Sequence, residues 1–332
     1  MIGKIRDGIC VLILCWVFSV FIVLGLLPTV AGTPISEEPA VEVAFPMIIT
    51  DDLGRVVTIL EKPARIVSLA PSNTEIIFAL GLGDRLFGVT EFCNYPEEAL
   101  AKDKVGGYSD VNIEKVVALA PDLILAEDIH KQKVIPALER LGFKVVALVP
   151  HNLDEIMDSI ILIGKVTGTE EAASQLVVDM SERIEAVTDR TANLKEAEKQ
   201  RVLYVIWHEP IMSVGTNTWI HELIEKAGGI NIAWVAGEGW PTLALEEVLS
   251  ANPQVIIANV EDYEGGDICL QFVLNEPRLK GVDARINQRV YGIDADLTSR
   301  PTPRIVEALE WMAGIIHPEI FPEFFDKYVT SD

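Results

Sequence analysis

The residues able to do chemistry in this 332-residue chain gather at the ends of apolar runs, not in catalytic motifs. The strand-like run 202–207 ends in Trp207-His208-Glu209-Pro210, and 90–110 carries Phe92, Tyr95 and Tyr108. Trp240 lies in the loop 236–242, and Asp296 and Arg300 lie in the loop 294–303. Aromatics on loops beyond strand ends suit a large, flat, partly apolar ligand whose orientation is set by a few polar groups. Asp296 and Arg300 would supply that polar edge. A transition-metal site would bring several histidines and carboxylates together. Here His130, His151, His208, His221 and His317 are scattered, and only His208 sits at a strand end aimed toward a cleft. A lone histidine is ordinarily just hydrogen-bonded, so no protein metal site is expected and His208 stands only as an axial-ligand candidate. There is no nucleophile elbow, phosphate loop or HExxH motif, and Gly81-Leu82-Gly83 follows a helical pattern, not a strand. Neither catalysis nor a resident cofactor is called for.

The elements that must position these residues alternate. In the first half, 47–50 and 55–59 flank the turn Asp51-Asp52-Leu53-Gly54. Strand-like runs at 65–69, 86–89, 123–126 and 144–148 then alternate with helical stretches at 75–80, 112–120, 133–141 and 153–166. That order predicts a parallel α/β sheet, with ligand bound beyond the carboxyl ends of its strands. Four segments follow strands and merit attention: 70–73, 90–95, 127–129 and Pro150. Ser72 or Asn73 can cap the helix that opens there. The second half offers strands at 202–207, 255–258 and 290–293 and helices at 219–227, 245–251 and 304–316, followed by an aromatic tail.

Between the halves runs TEEAASQLVVDMSERIEAVTDRTANL, residues 169–194. Ala173, Leu176, Val177, Met180, Ile184 and Val187 recur at helical spacing and make one apolar stripe. Thr169 is placed to cap this helix, and Glu170 and Glu171 suit the positive end of its dipole. Its length would be roughly 35–40 Å.

The halves also echo each other. Residues 112–126 (NIEKVVALAPDLILA) align without gaps on 244–258 (ALEEVLSANPQVIIA), so that Glu114 and Glu246 each stand seven residues before a proline. Asn73-Thr74 and Asn217-Thr218 each open a helix that ends at glycine. Self-similarity over a whole unit points to duplication. The expected fold is two Rossmann-like lobes, each a mainly parallel sheet flanked by helices, joined by one long backbone helix. The boundaries are 46–168 for the N-terminal lobe, 169–195 for the joining helix and 196–332 for the C-terminal lobe.

A formal charge of −23 argues against nucleic acid or an anionic membrane surface as partner and fits a basic partner. Residues 1–32 place Lys4 and Arg6 before a long uncharged run and small residues, the pattern of an export signal or, by the length of the run, an N-terminal anchor. Residues 33–45 read as a Pro- and Glu-rich tether. Past residue 32 only Cys93 and Cys269 remain, one in each half, and are read as unpaired.

With these residues in view, the chain resembles the helical-backbone class of substrate-binding proteins that serve ATP-binding-cassette importers of vitamin B12, ferric siderophores and haem. The likeness spans about 65–317 and rests on RIVSLAPSNTEIIFALG, VGGYSDVNIEKVVALAPDLILA and PTLALEEVLSANPQVIIA. Within the class, YVIWHEPIMSVGTNTWIHELIEKAGGINI and the following GWP look most like the cobalamin-binding branch. The resemblance implies an exported, non-enzymatic carrier, monomeric, that binds cobalamin or a related corrinoid between its lobes and hands it to permease subunits. It places Phe92, Tyr108 and Trp240 on sites that sandwich the corrin, and Ser72, Asp296 and Arg300 on polar or backbone contacts. It sets Glu127 where an aromatic is usual, which counts against cobalamin itself and leaves room for a precursor corrinoid or another macrocycle. It puts Glu114 and Glu246 at the positions that dock on permease arginines. The alternatives are a haem carrier with His208 as axial ligand, a ferric-siderophore carrier, which would need more cleft arginines than Arg300, and an enzyme on the related nitrogenase-like scaffold, which would need cluster-ligating cysteines.

Overall fold

The computed structural model describes residues 45–261 and 266–329; the expected signal or anchor at 1–32 and the tether up to residue 44 lie outside the described residues. Strands β1 (Met47–Thr50) and β2 (Val56–Ile59) form the expected hairpin, with Met47 opposite Ile59. The Asp51 carboxylate accepts from the Leu53 and Arg55 amides and so pins the turn. The N-terminal lobe then runs β3 (Ile66–Ser68), α1 (Pro71–Ala79), β4 (Leu86–Val89), β5 (Asp103–Lys104), α2 (Ile113–Ala118), β6 (Leu123–Ala126), α3 (Val134–Arg140), β7 (Val145–Ala147) and α4 (Leu153–Thr167). Its five-stranded sheet has the order β5-β4-β3-β6-β7, parallel throughout.

Helix α5 (Glu170–Thr191) is the joining helix. The C-terminal lobe follows with β8 (Gln200–Val205), β9 (Ile211–Met212), α6 (Trp219–Lys226), β10 (Gly229–Asn231), β11 (Thr242–Leu243), α7 (Leu245–Ala251) and β12 (Val255–Val260). It closes with α8 (Ile268–Asn275), α9 (Asp283–Ile286), β13 (Val290–Asp294), α10 (Ala295–Ser299), α11 (Ile305–Ile316) and α12 (Pro322–Val329). The main sheet is parallel, ordered β10-β8-β12-β13, with a small antiparallel ribbon of β9 and β11 beside it.

Both sheets are covered on both faces, and their side chains alternate accordingly. In β6, Leu123 and Leu125 face one apolar cluster and Ile124 and Ala126 another. In β8, Val202 and Tyr204 face the same large cluster as Leu123, whereas Leu203 and Val205 face a third. The large cluster continues from α1 and α4 through α5 to α6 and α11, so it holds the two lobes and the joining helix together.

Helix α5 buries Ala173, Met180, Ile184 and Val187 of the expected stripe, with Leu176 and Val177 half-buried. Its N-terminal half lies so close to α4 that a Cβ on Gly164 would fall 2.4 Å from the Ala173 methyl. Its C-terminal half is tied to the second lobe. Thr191 Oγ1 donates to the Lys226 carbonyl at 2.8 Å, and Arg183 pairs with Glu310 at 2.7 Å. One expectation fails here. Thr169 does not cap α5: its Oγ1 lies 2.9 Å from Thr167 Oγ1, and the helix starts without a side-chain cap. The tight Gly168 turn (φ 67°) ends α4 and sends the Thr169 amide back to the Gly164 carbonyl at 2.8 Å.

The internal echo is real down to single hydrogen bonds. Ala120 and Asn252, each just before the repeat's proline, both take φ 45°. The residue after each proline donates to the carbonyl of an arginine that leads into a strand: Asp122 to Arg65 at 2.9 Å, Gln254 to Arg201 at 2.8 Å. Those arginines then reach equivalent carbonyls at the helix ends, Leu119 for Arg65 (2.9 Å from Nε) and Ala251 for Arg201 (3.0 Å from Nε). Helices α1 and α6 both run into a glycine at positive φ, Gly81 at 71° and Gly228 at 82°.

Candidate ligand-binding cleft

Every N-terminal-lobe strand of the inner sheet ends at one cavity of about 820 Å3. Beyond β3 comes Ser72, beyond β4 Phe92, beyond β6 Glu127, and beyond β7 the stretch from Leu148 to His151. Across from them the C-terminal lobe contributes Asn217 to Trp219 at the start of α6, Glu238 to Trp240 from the loop before β11, and Asp296, Ser299, Arg300 and Pro301 around α10. That is the topological position at which parallel α/β sheets take ligands.

Ser72 is not a cap. Pro71 occupies the first turn, so α1 begins at Ala70 without a side-chain cap and Ser72 is freed for another role. Its hydroxyl donates to Glu127 Oε1, and the Tyr108 hydroxyl donates to Glu127 Oε2. Behind them His130 is buried. Its Nδ1 accepts from the Glu127 amide at 3.0 Å, which puts the ring proton on Nε2, facing the Tyr108 carbonyl at 2.8 Å. Burial pushes the Glu127 carboxyl above its usual range, opposed by the Ser72 and Tyr108 hydrogen bonds. Burial holds His130 below its ordinary value and therefore neutral, and burial together with the Glu127 charge raises the Tyr108 phenol.

The opposite wall is aromatic. Trp219 Nε1 donates to the Thr298 carbonyl at 2.7 Å, which fixes the indole, and Trp240 stands edge-on to it with centroids 6.2 Å apart. Phe92 and Trp240 remain 59% and 47% exposed, large apolar faces left open on the two sides of the cavity.

Arg300 is not a free cation at the cleft edge. Its NH1 bonds Glu75 Oε1 at 3.0 Å and Asn94 Oδ1 at 2.7 Å, and its NH2 meets Asp296 Oδ2 at 2.6 Å. Arg304 adds two more bonds to Glu75, and its guanidinium lies over the Tyr95 ring at 3.9 Å. Glu75, buried on α1, is thus clasped by two arginines of the other lobe, and Asn94 reaches back to Asp296 at 2.9 Å. Sequence reasoning passed over Glu75, Asn94 and Arg304. Tyr95, read as a cleft aromatic, is occupied under Arg304 and does not line the cavity.

Ser72, Phe92, Tyr108, Glu127, Trp240, Asp296 and Arg300 are brought together at the cavity, and Trp207 and His208 are not. The chain after β8 does not continue into the cleft. It doubles back, with Trp207 and Met212 exchanging backbone hydrogen bonds. His208 therefore packs between Trp207 and Phe272, centroids 4.8 and 5.8 Å away, beside α8. The expected loop at 294–303 also contains α10, capped by the Asp294 carboxylate at the Asp296 amide, 2.9 Å. Cys93 and Cys269 are both buried free thiols, beside Thr74 and Thr90 in one lobe and the Ile206 carbonyl in the other.

Comparison with known proteins agrees with this architecture. The periplasmic binding protein family model matches residues 66–297, and the chain belongs to that family. An uncharacterised ABC transporter substrate-binding lipoprotein of Bacillus subtilis is 32% identical over 84% of this chain and 88% of its own. The vitamin B12-binding protein of Vibrio cholerae is 32% identical over 76% of this chain and 90% of its own. Its crystal structure superposes with a TM-score of 0.67 over 77% of this chain and 98% of that one. The structure of a possible iron-binding periplasmic solute-binding protein from Staphylococcus epidermidis gives the same TM-score at 28% identity, over 77% of this chain and all of its own. The two-lobed α/β fold with a single joining helix is accordingly the fold of a class III substrate-binding protein.

Proposed function

We propose that this protein is the extracytoplasmic binding component of an ABC importer and that it carries cobalamin or a related corrinoid in the cleft, without catalysis and as a monomer. The observation that carries this reading is the cavity itself. Its volume of about 820 Å3 lies within the ~300–1,000 Å3 range of small-molecule sites. Exposed aromatic faces stand on both sides, Phe92 on one lobe and Trp240 on the other, as a flat macrocycle requires. Relatives named as vitamin B12-binding proteins support it. The S. epidermidis likeness favours a second reading, a ferric-siderophore or haem carrier. That reading is weakened by the loss of both its anchors, since His208 lies off the cavity and Arg300 is committed to Glu75 and Asp296. Absorbance of protein purified from corrinoid-fed cells tests the choice. Corrin bands are expected, and a Soret band or a ferric-siderophore spectrum in their place would reject the corrinoid.

Delivery would use Glu114 and Glu246. Both are exposed in the first turns of α2 and α7, and neither is used for capping. Asn112 Oδ1 takes the Lys115 amide at 3.0 Å, and Glu247 takes the Ala244 amide at 2.7 Å. Neither Glu114 nor Glu246 makes a hydrogen bond or ion pair among the described residues. Two symmetric, unspent carboxylates on equivalent helices suit basic side chains on a two-fold permease. No helix among the described residues is long and apolar enough to cross a membrane.

A further inference from the structure

The polar chemistry of the Ser72, Glu127 and Tyr108 wall is one-sided. Ser72 and Tyr108 both direct their hydroxyl hydrogens to Glu127, so what these three side chains can still offer a ligand is lone pairs. The remaining charged groups of the lining deepen the bias. Asp128, Glu238 and Asp296 are carboxylates, of which Asp128 has Lys131 at 3.8 Å and Asp296 has Arg300. The arginine of the lining has four of its five N–H groups committed, to Glu75, Asn94, Asp296 and the Phe92 carbonyl. Apart from His151, exposed at the rim, the described lining holds no other basic side chain.

A ligand carboxylate placed against these three side chains would find no free donor hydrogen, because both hydroxyl hydrogens are held by Glu127. A primary carboxamide would direct N–H groups at the free lone pairs of Glu127, Ser72 and Tyr108. We propose that Ser72, Glu127 and Tyr108 form a carboxamide-selective subsite, so that the cleft accepts a tetrapyrrole with amidated side chains and rejects the same macrocycle carrying a carboxylate there. This rests on the corrinoid reading above and adds what that reading leaves open. Glu127 becomes a specificity determinant.

The experiment is equilibrium binding of cyanocobalamin and of the monocarboxylic acids made from it by hydrolysing one propionamide, to wild type and to Glu127→Gln. For wild type, at least one monoacid is expected to bind roughly 10–100-fold more weakly than cyanocobalamin. In Glu127→Gln, whose amide supplies a donor and removes the charge, that penalty is expected to fall to within about threefold. Monoacids that all match cyanocobalamin in wild type would overturn the proposal while leaving the corrinoid reading intact. A penalty unchanged in Glu127→Gln would overturn it too, because the discrimination would then come from overall charge. Failure of cyanocobalamin itself to bind wild type would reject the corrinoid reading and the subsite with it. The wild-type comparison stands even if the variant misfolds.

Discussion

The two lobes share one frame and differ in what they hang on it. In both, a helix, a left-handed residue, a proline and a strand follow in the same order, and an arginine staples the unit by the same two carbonyl contacts. At the cleft the likeness ends. The N-terminal wall is a polar set, Ser72, Glu127 and Tyr108, braced from behind by a neutral His130. The C-terminal wall is built around a pair of indoles, Trp219 and Trp240, with Glu238, Asp296 and Arg300 at its edge. What the two lobes share is the geometry that faces outward, Glu114 and Glu246 on equivalent helices. What diverged is the chemistry that faces the ligand. The proposed function would use this combination, with like carboxylates presented outward and unlike walls turned to the ligand.

The largest expected effect comes from the conserved side of that comparison. Glu114→Arg with Glu246→Arg is expected to abolish uptake of labelled cobalamin in cells while leaving the affinity of the purified protein unchanged. Wild-type uptake in the double variant would break the equivalence of the two helices. Next comes the clasp between the lobes. Replacing both Arg300 and Arg304 by Ala strands the buried Glu75 carboxylate, which should cost about 3–5 kcal/mol in denaturant unfolding. A loss under ~1 kcal/mol would mean that Glu75 is solvated and not clasped. Trp240→Ala then addresses the aromatic wall, with an expected loss of about 2 kcal/mol in ligand affinity, whereas Tyr108→Phe, which keeps the ring, should cost about 1 kcal/mol. Equal losses would erase the distinction between an apolar and a polar wall. The smallest effect separates the two repeat helices by their caps. Asn112→Ala should destabilise by about 1 kcal/mol, and Glu247→Ala by less, since Asn112 is the N-cap that takes a first-turn amide of its helix whereas Glu247 takes the Ala244 amide ahead of its helix.

Features carried by local pattern were legible in the sequence. The stripe of α5, the alternating buried strands and the 112–126 and 244–258 echo all depend on spacing within one element or one unit, and each appears where expected. Of the ten cleft residues anticipated, Tyr95 included, seven do line the cavity, because position after a parallel strand sets where a side chain goes. Trp207 and His208 were misplaced by the same rule, since β8 is followed by a chain reversal and not by a helix. Strands β5 and β10, of two and three residues, are too short to show a period. The Glu75 clasp spans 225 residues to Arg300 and 229 to Arg304, and nothing near Glu75 in the sequence distinguishes it from an ordinary helical acid. The Arg65 and Arg201 staples were hidden for the same reason. Each contact crosses some fifty residues, 54 from Arg65 to Leu119 and 50 from Arg201 to Ala251.

The central claim is that the cleft between unlike walls holds a corrinoid. Calorimetric titration of the protein with cyanocobalamin tests it most directly. The account predicts one site per chain with Kd below about 1 μM, and no heat of binding up to ~100 μM ligand would contradict it.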